Sequence, residues 1–177
     1  MADVKEKSSN IPSHQTRNGK HLTRYLNDHL AGSTTVINLL QHLQRSRRGK
    51  DMQWFLVTLR GDAVADRVSL EGVMDRAQVK KHRHRTATAW LIEKLTRLKL
   101  RMDDKGDGAL QFLEGLELVE VGIEGKRELW RALAATSEQM PILKGINFDH
   151  LIQRADDQHE RVESVRIETA KAALTRV

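Results

Sequence analysis

Apolar residues recur every three or four positions along most of the chain, which is the spacing of an amphipathic α-helix. The lines of apolar residues predict helices over residues 21–45, 52–77, 86–102, 110–133 and 148–177. A turn is predicted before the last of them, because Pro141 and Gly145 interrupt the helical pattern. Long amphipathic helices with short connections favour an all-α fold, an antiparallel up-and-down bundle of four or five long helices.

With 177 residues, the chain is long enough for one domain with a sizeable core. Residues 1–20 are polar and contain no apolar run, so we expect a flexible N-terminal arm and no secretory signal. Residues 21–177 are expected to form a single helical-bundle domain. No run of about 18 apolar residues occurs, so the sequence predicts no membrane span.

Histidine and acidic side chains interrupt the predicted inner faces of three helices. His29 lies on the apolar line of the first helix, and Asp66 lies on that of the second. Glu117 and Glu124 lie seven residues apart, two helical turns, within an apolar line of the segment 110–133. Carboxylates and imidazoles that point inward from facing helices can bind hard cations or iron. These four residues are therefore candidate ligands for iron or manganese, or polar contacts for a small molecule.

The same four residues also have a purely structural interpretation. A histidine can donate to a neighbouring carboxylate, and carboxylates beside an apolar face can pair with Lys or Arg. Arg127 and Arg166 are available for such pairs. Both interpretations stay open on the sequence alone.

Residue types and motifs that do not occur narrow the chemistry further. The chain contains no cysteine, which excludes disulfides, thiolate zinc sites and a cysteine nucleophile. This composition is compatible with a cytoplasmic protein, which is the location we expect. The sequence contains no glycine-rich phosphate loop, no Gly-x-Ser-x-Gly and no His-Glu-x-x-His. No catalytic residues are predicted.

The positive charge is concentrated in one part of the chain, residues 76–101. This strip holds nine Lys or Arg and one acid, Glu93, which gives it a charge of +8. The whole chain has a net charge of +6, so the remaining residues sum to −2. Clustered cations can bind nucleic acid or an anionic lipid surface. They can equally form a solvated basic face on a helix of the bundle, and no nucleic-acid-binding motif accompanies them.

Two short stretches resemble a family of small bacterial ferritin-like proteins of uncharacterised role. They are Tyr25-Leu26-Asn27-Asp28-His29-Leu30-Ala31-Gly32 and Gly122-Ile123-Glu124-Gly125-Lys126, and the resemblance covers roughly residues 22 to 175. It implies a ferritin-like bundle and a bacterial origin, and it implies no particular activity. The Glu-x-x-His motif of di-metal ferritin-like bundles does not occur, and the nearest match is Asp156-x-x-His159.

The sequence alone does not determine an activity. We expect a helical-bundle protein that acts by protein interaction, with homo-oligomers as one form of it. The first alternative is a ferritin-like protein that binds a metal or a small ligand in its core. The second alternative is binding to nucleic acid or an anionic surface through residues 76–101.

Overall fold

The computed structural model describes residues 14–45, 49–82 and 108–175. Within these ranges the chain forms four α-helices, one short 3-10 helix and no strand, which confirms the predicted all-α class. The α-helices are α1 (His14–Gln44), α2 (Lys50–Arg76), α3 (Gly108–Thr136) and α4 (Phe148–Leu174), and the 3-10 helix is Pro141–Leu143. No helix in the described part of the chain combines the length and hydropathy needed to cross a membrane.

The helices keep close to their predicted limits, with one difference at the N-terminus. Helix α1 begins at His14, so residues 14–20 continue the helix instead of belonging to a flexible arm. This extension is possible because no proline follows Pro12 until Pro141. Residues 1–13, the predicted helix over 86–102 and most of the basic strip lie outside the described residues.

The predicted turn before the last helix is confirmed, and its residues explain it. Pro141 starts the 3-10 helix, where its missing N–H costs no hydrogen bond. Gly145 has a φ of +79°, a conformation that glycine adopts without strain. Asn147 then caps α4 by accepting a hydrogen bond from the backbone N–H of His150 at 3.0 Å. These contacts fix where α4 begins.

Beside a small apolar cluster of Ala109, Leu113 and Ala173, the core of the described residues consists of two large clusters along the length of the bundle. One contains Leu40, Leu43, Leu56, Leu116 and Val162 among its fully buried members. The other is built around Leu26, Met74, Trp130, Leu133 and Phe148. All four helices contribute to both clusters, so α4 packs as a full member of the bundle.

Contacts between α1 and α2 follow a regular order. Gln44 donates to the carbonyl of Leu56 at 2.9 Å, and Arg67 donates to Thr34 at 3.0 Å. Later residues of α2 therefore meet earlier residues of α1. The same order holds between α3 and α4, where Arg127 contacts Asp156 at 3.1 Å and Glu120 contacts Arg166 at 3.3 Å. Helices α1 and α3 follow it too, since a Cβ on Gly115 would lie 2.7 Å from Leu43 and one on Gly122 would clash with Val36.

Candidate functional site

A cavity of about 360 Å³ lies between α1, α2 and α3. Its wall is formed by residues within 28–36 of α1, 63–70 of α2 and 121–130 of α3, and most of this wall is apolar. Asp28 and Val121 are exposed and mark its solvent side, whereas Leu70 and Trp130 are buried and mark its inner side. The volume falls within the range of about 300–1,000 Å³ that is typical of small-molecule sites.

Glycines explain why the space is open at this level. At Gly122 the backbone of α3 approaches Val36 so closely that a Cβ would clash. At Gly32 and Gly125, which border the cavity, a Cβ would meet no atom within 4 Å. The helices α1 and α3 are therefore in tight contact beside the cavity, and residues without side chains leave the cavity unfilled.

A buried polar group borders the cavity through two of its residues, Asp66 and Lys126, whereas its other members, Gln158 and Arg154, lie outside the cavity wall. Asp66, only 3% exposed, accepts hydrogen bonds from Lys126 and, at 2.9 Å, from Gln158 Nε2. Lys126 also donates to Gln158 Oε1, so the three side chains form a closed set of hydrogen bonds. The other oxygen of Asp66 lies 2.6 Å from Arg154 Nη2, an ion pair outside hydrogen-bond angles. One carboxylate thus faces two cations.

Burial lowers the pKa of Lys126 below the ordinary lysine value. The attraction and hydrogen bond of Asp66 oppose this shift, and repulsion from Arg154 adds to it. The side chain of Lys126 is 15% exposed and borders the cavity together with Asp66. Lys126 is therefore a cation at the edge of an apolar space, and its solvation by the protein is incomplete.

Two further polar groups border the cavity. His29 is half-buried and meets Tyr25 edge to face, with 4.7 Å between ring centroids. Burial lowers the pKa of His29 below the usual histidine value, and the Asp28 carboxylate opposes the shift. The neutral imidazole carries one donor and one acceptor. The Nε1–H of Trp130 is buried without a protein hydrogen-bond partner, so this donor is unused.

The four predicted metal ligands do not form one cluster: His29 and Asp66 border the same cavity, whereas Glu117 and Glu124 do not line it. In the ranges that the structure describes, no three His, Asp or Glu side chains are arranged to hold a metal ion. Gly115 lies beside Leu43 and Gly122 beside Val36, so Glu117 of α3 lies at about the level of residue 41 of α1. Residue 41 is twelve residues from His29, so at 1.5 Å per residue the levels of Glu117 and His29 differ by roughly 18 Å along the bundle. The iron or manganese hypothesis therefore gains no support from the geometry.

The structural interpretation accounts for two of the four candidates. Glu124 pairs with Arg127 at 2.8 Å, and Arg127 also contacts Asp156 on α4. Asp66 belongs to the buried polar group, where its predicted inward position is confirmed. Glu117 is exposed, so its predicted position on an inner face is wrong. His29 lies beside the cavity.

The sequence pattern missed two residues of interest. Glu120, whose side chain is 17% exposed, is more shielded than Glu124 at 45% and than the exposed Glu117, and it pairs with Arg166 at 3.3 Å. Burial and a hydrogen bond with Glu163 raise the pKa of Glu120. Lys126 was also missed, although it falls in the seven-residue gap of the apolar line between Ile123 and Trp130. The missing apolar residue in that gap is the feature of the sequence that could have identified Lys126.

Neither a protein-family model, nor a curated protein, nor a solved structure matches this chain. The resemblance to ferritin-like proteins thus stays a prediction.

Proposed function

We propose that the bundle binds a small amphipathic anion, with the apolar body in the cavity and the anionic group beside Lys126. One observation supports this proposal above all others. The cavity of about 360 Å³ has a mostly apolar wall, and this wall includes the buried Asp66 with its cationic partner Lys126. Such a combination of apolar volume and a few convergent polar groups is typical of ligand sites.

The surroundings of Lys126 favour an anion over a cation at this position. The charges that line the cavity balance one another, Asp28 and Asp66 against Arg67 and Lys126, but the buried Asp66 is shared between Lys126 and Arg154, which lies outside the cavity wall. Arg154 is 27% exposed and reaches water, whereas Lys126 is largely screened from it. A carboxylate at Lys126 would complete the solvation of the ammonium group, and charge-assisted hydrogen bonds of this kind are about twice as strong as neutral ones.

The order of contacts also supports a ferritin-like topology for this binding protein. Helix α1 runs opposite to α2 and opposite to α3, and α3 runs opposite to α4. The pairs Asp62–Arg161 and Asp66–Arg154 give the same order for α2 and α4. Neighbouring helices are then antiparallel, while α2 and α3 run in the same direction. This order of directions is the one found in ferritin-like bundles, and it differs from a simple up-and-down order.

The proposal is tested with eight-carbon probes that share an alkyl body: octanoate, octanol and octylamine. Burial of seven methyl and methylene groups at ~0.8 kcal/mol each gives ~5–6 kcal/mol, a Kd of ~0.1 mM. Octanoate at ~1 mM should then stabilise the protein by ~1.4 kcal/mol and raise its melting temperature by ~3–5 °C. Octylamine should bind roughly 10–100-fold more weakly, because it places a cation beside Lys126.

A matched pair of variants on α3 locates the binding. Gly125→Leu puts a side chain into the cavity, and Ala135→Leu puts the same side chain on an exposed position outside it. The first variant should lose the thermal shift with octanoate, and the second should keep it. Equal binding of octylamine and octanoate, or an unchanged shift in Gly125→Leu, would refute the proposal.

A further inference from the structure

Helix α2 carries a second apolar face that the bundle core does not use. Trp54, Val57, Val64 and Val68 are 72%, 57%, 42% and 62% exposed, and the exposed Gly61 lies between them. The spacing of these five residues alternates between three and four, which is the period of a coiled-coil seam. We name this surface, residues 54, 57, 61, 64 and 68, the α2 stripe.

The α2 stripe lies opposite the buried side of the helix. Leu59, Asp66 and Val73, which face the core, are buried and follow one another at seven-residue steps. Beside the stripe, Ala65 and Gly72 are exposed and small, so another helix can approach the backbone closely. The stripe spans about 21 Å at 1.5 Å per residue. A contiguous apolar surface of this length marks an interaction site.

Charged residues continue the same seam at both ends and indicate what covers it. Lys50 precedes Trp54 by four residues, and Glu71 and Asp75 follow Val68 at steps of three and four. The seam positions themselves are thus basic at the start of α2 and acidic at its end. Glu71 also pairs with Arg67 beside the seam, and Asp75, whose side chain is 67% exposed, pairs with Lys81 and stays accessible to a second cation. Two antiparallel copies place Lys50 of each copy beside Asp75 of the other, whereas two parallel copies would bring like charges together.

From this self-complementarity we propose that the chain forms a two-fold homodimer in which the α2 stripes of two copies pack antiparallel. The seam residues then pair in one register: Lys50 with Asp75, Trp54 with Glu71, Val57 with Val68 and Gly61 with Val64. Each pair occurs twice, as a two-fold interface requires. Gly61 at the centre leaves room for Val64 of the second copy.

The full chain is tested by sedimentation velocity over a concentration series from about 1 to 500 μM. The proposal predicts a species of two 20.2 kDa chains that grows with concentration. Val64→Glu places two carboxylates in the centre of the seam and should raise the dimer Kd at least about 100-fold. Ile167→Glu, which changes an exposed apolar residue on α4, should leave the Kd unchanged.

A charge exchange tests the antiparallel register. Lys50→Glu should weaken the dimer, and the double change Lys50→Glu with Asp75→Lys should restore it. A monomer at all concentrations would overturn the proposal, and so would a dimer that tolerates Val64→Glu. A monomeric wild type that loses thermal stability on Val64→Glu would also overturn it, because the stripe would then be covered within one chain. Failure of the double change to restore the dimer would overturn the register.

Discussion

Replacing Asp66 with asparagine leaves Lys126 without its carboxylate partner inside the bundle. In the wild type, Asp66 is 3% exposed and Lys126 is 15% exposed, so water replaces little of the lost interaction. Breaking a buried ion pair by removal of one partner typically costs 3–5 kcal/mol. We expect Asp66→Asn to lower the free energy of unfolding by about this amount.

The opposite single change should cost less. Lys126→Met leaves Asp66 in contact with Arg154 at 2.6 Å and with Gln158 at 2.9 Å, so the carboxylate keeps two partners. Loss of one hydrogen bond to a charged group corresponds to about 1.5–3 kcal/mol. The double variant removes both charges of the closest pair, and its cost should be smaller than the sum of the single costs by about 1–3 kcal/mol.

Urea unfolding of the four proteins, followed by far-ultraviolet circular dichroism, measures this cycle. The linear dependence of the unfolding free energy on urea supplies each value, provided that the slope is the same in all four proteins. Single costs that add within about 0.5 kcal/mol would show that the two side chains are not coupled. A cost below about 1 kcal/mol for Asp66→Asn would show that the aspartate is not buried with its partners.

Two further predictions concern stability. Gly125→Ala should raise the free energy of unfolding by about 0.5–1 kcal/mol, since its Cβ meets open space, whereas Gly122→Ala should lower it by about 1–3 kcal/mol through a clash with Val36. Equal effects of the two changes in urea unfolding would contradict the described contact between α1 and α3. For His29, the folded pKa lies below the unfolded value of 6.5. Between these two pKa values the unfolded chain binds more protons than the folded one, so the free energy of unfolding falls as the pH decreases from 6.5 to the folded pKa. His29→Phe should reduce this loss, and an identical pH dependence of the wild type and the variant would show that His29 is not buried.

Sequence periodicity was sufficient for the helices because the core of a bundle selects residues at intervals of three and four. It also identified Asp66 as an inward residue, because the apolar residues before and after it on the same line of α2 face the core. The turn at Pro141 and Gly145 was predictable for a local reason, the backbone preferences of these two residues.

The pattern could not show how the helices are aligned relative to one another. The sequence places Glu117 and Glu124 on one face of α3, but it does not show which residues of α1 lie at the same level. That level depends on the contacts of Gly115 and Gly122 with α1, which no periodicity reveals. Periodicity also did not show that Glu117 is exposed while Glu120 is shielded beside Arg166, because the position of the neighbouring helix decides which carboxylate is covered.

The cavity was not predicted from the sequence, because it arises where Gly32 and Gly125 have no side chain to fill the space. A glycine within a helix can border open space, as these two do, or permit close packing of a neighbouring helix, as Gly122 does. Both kinds of glycine look the same in the sequence, so only the packed helices distinguish them.

Isothermal titration of octanoate into the full chain tests the proposed ligand site most directly. The proposed site predicts saturable binding of one octanoate per chain with a Kd of ~0.1 mM, retained in Ala135→Leu and lost in Gly125→Leu. Absence of saturable binding at octanoate concentrations of several millimolar, or equal affinity in both variants, would contradict it.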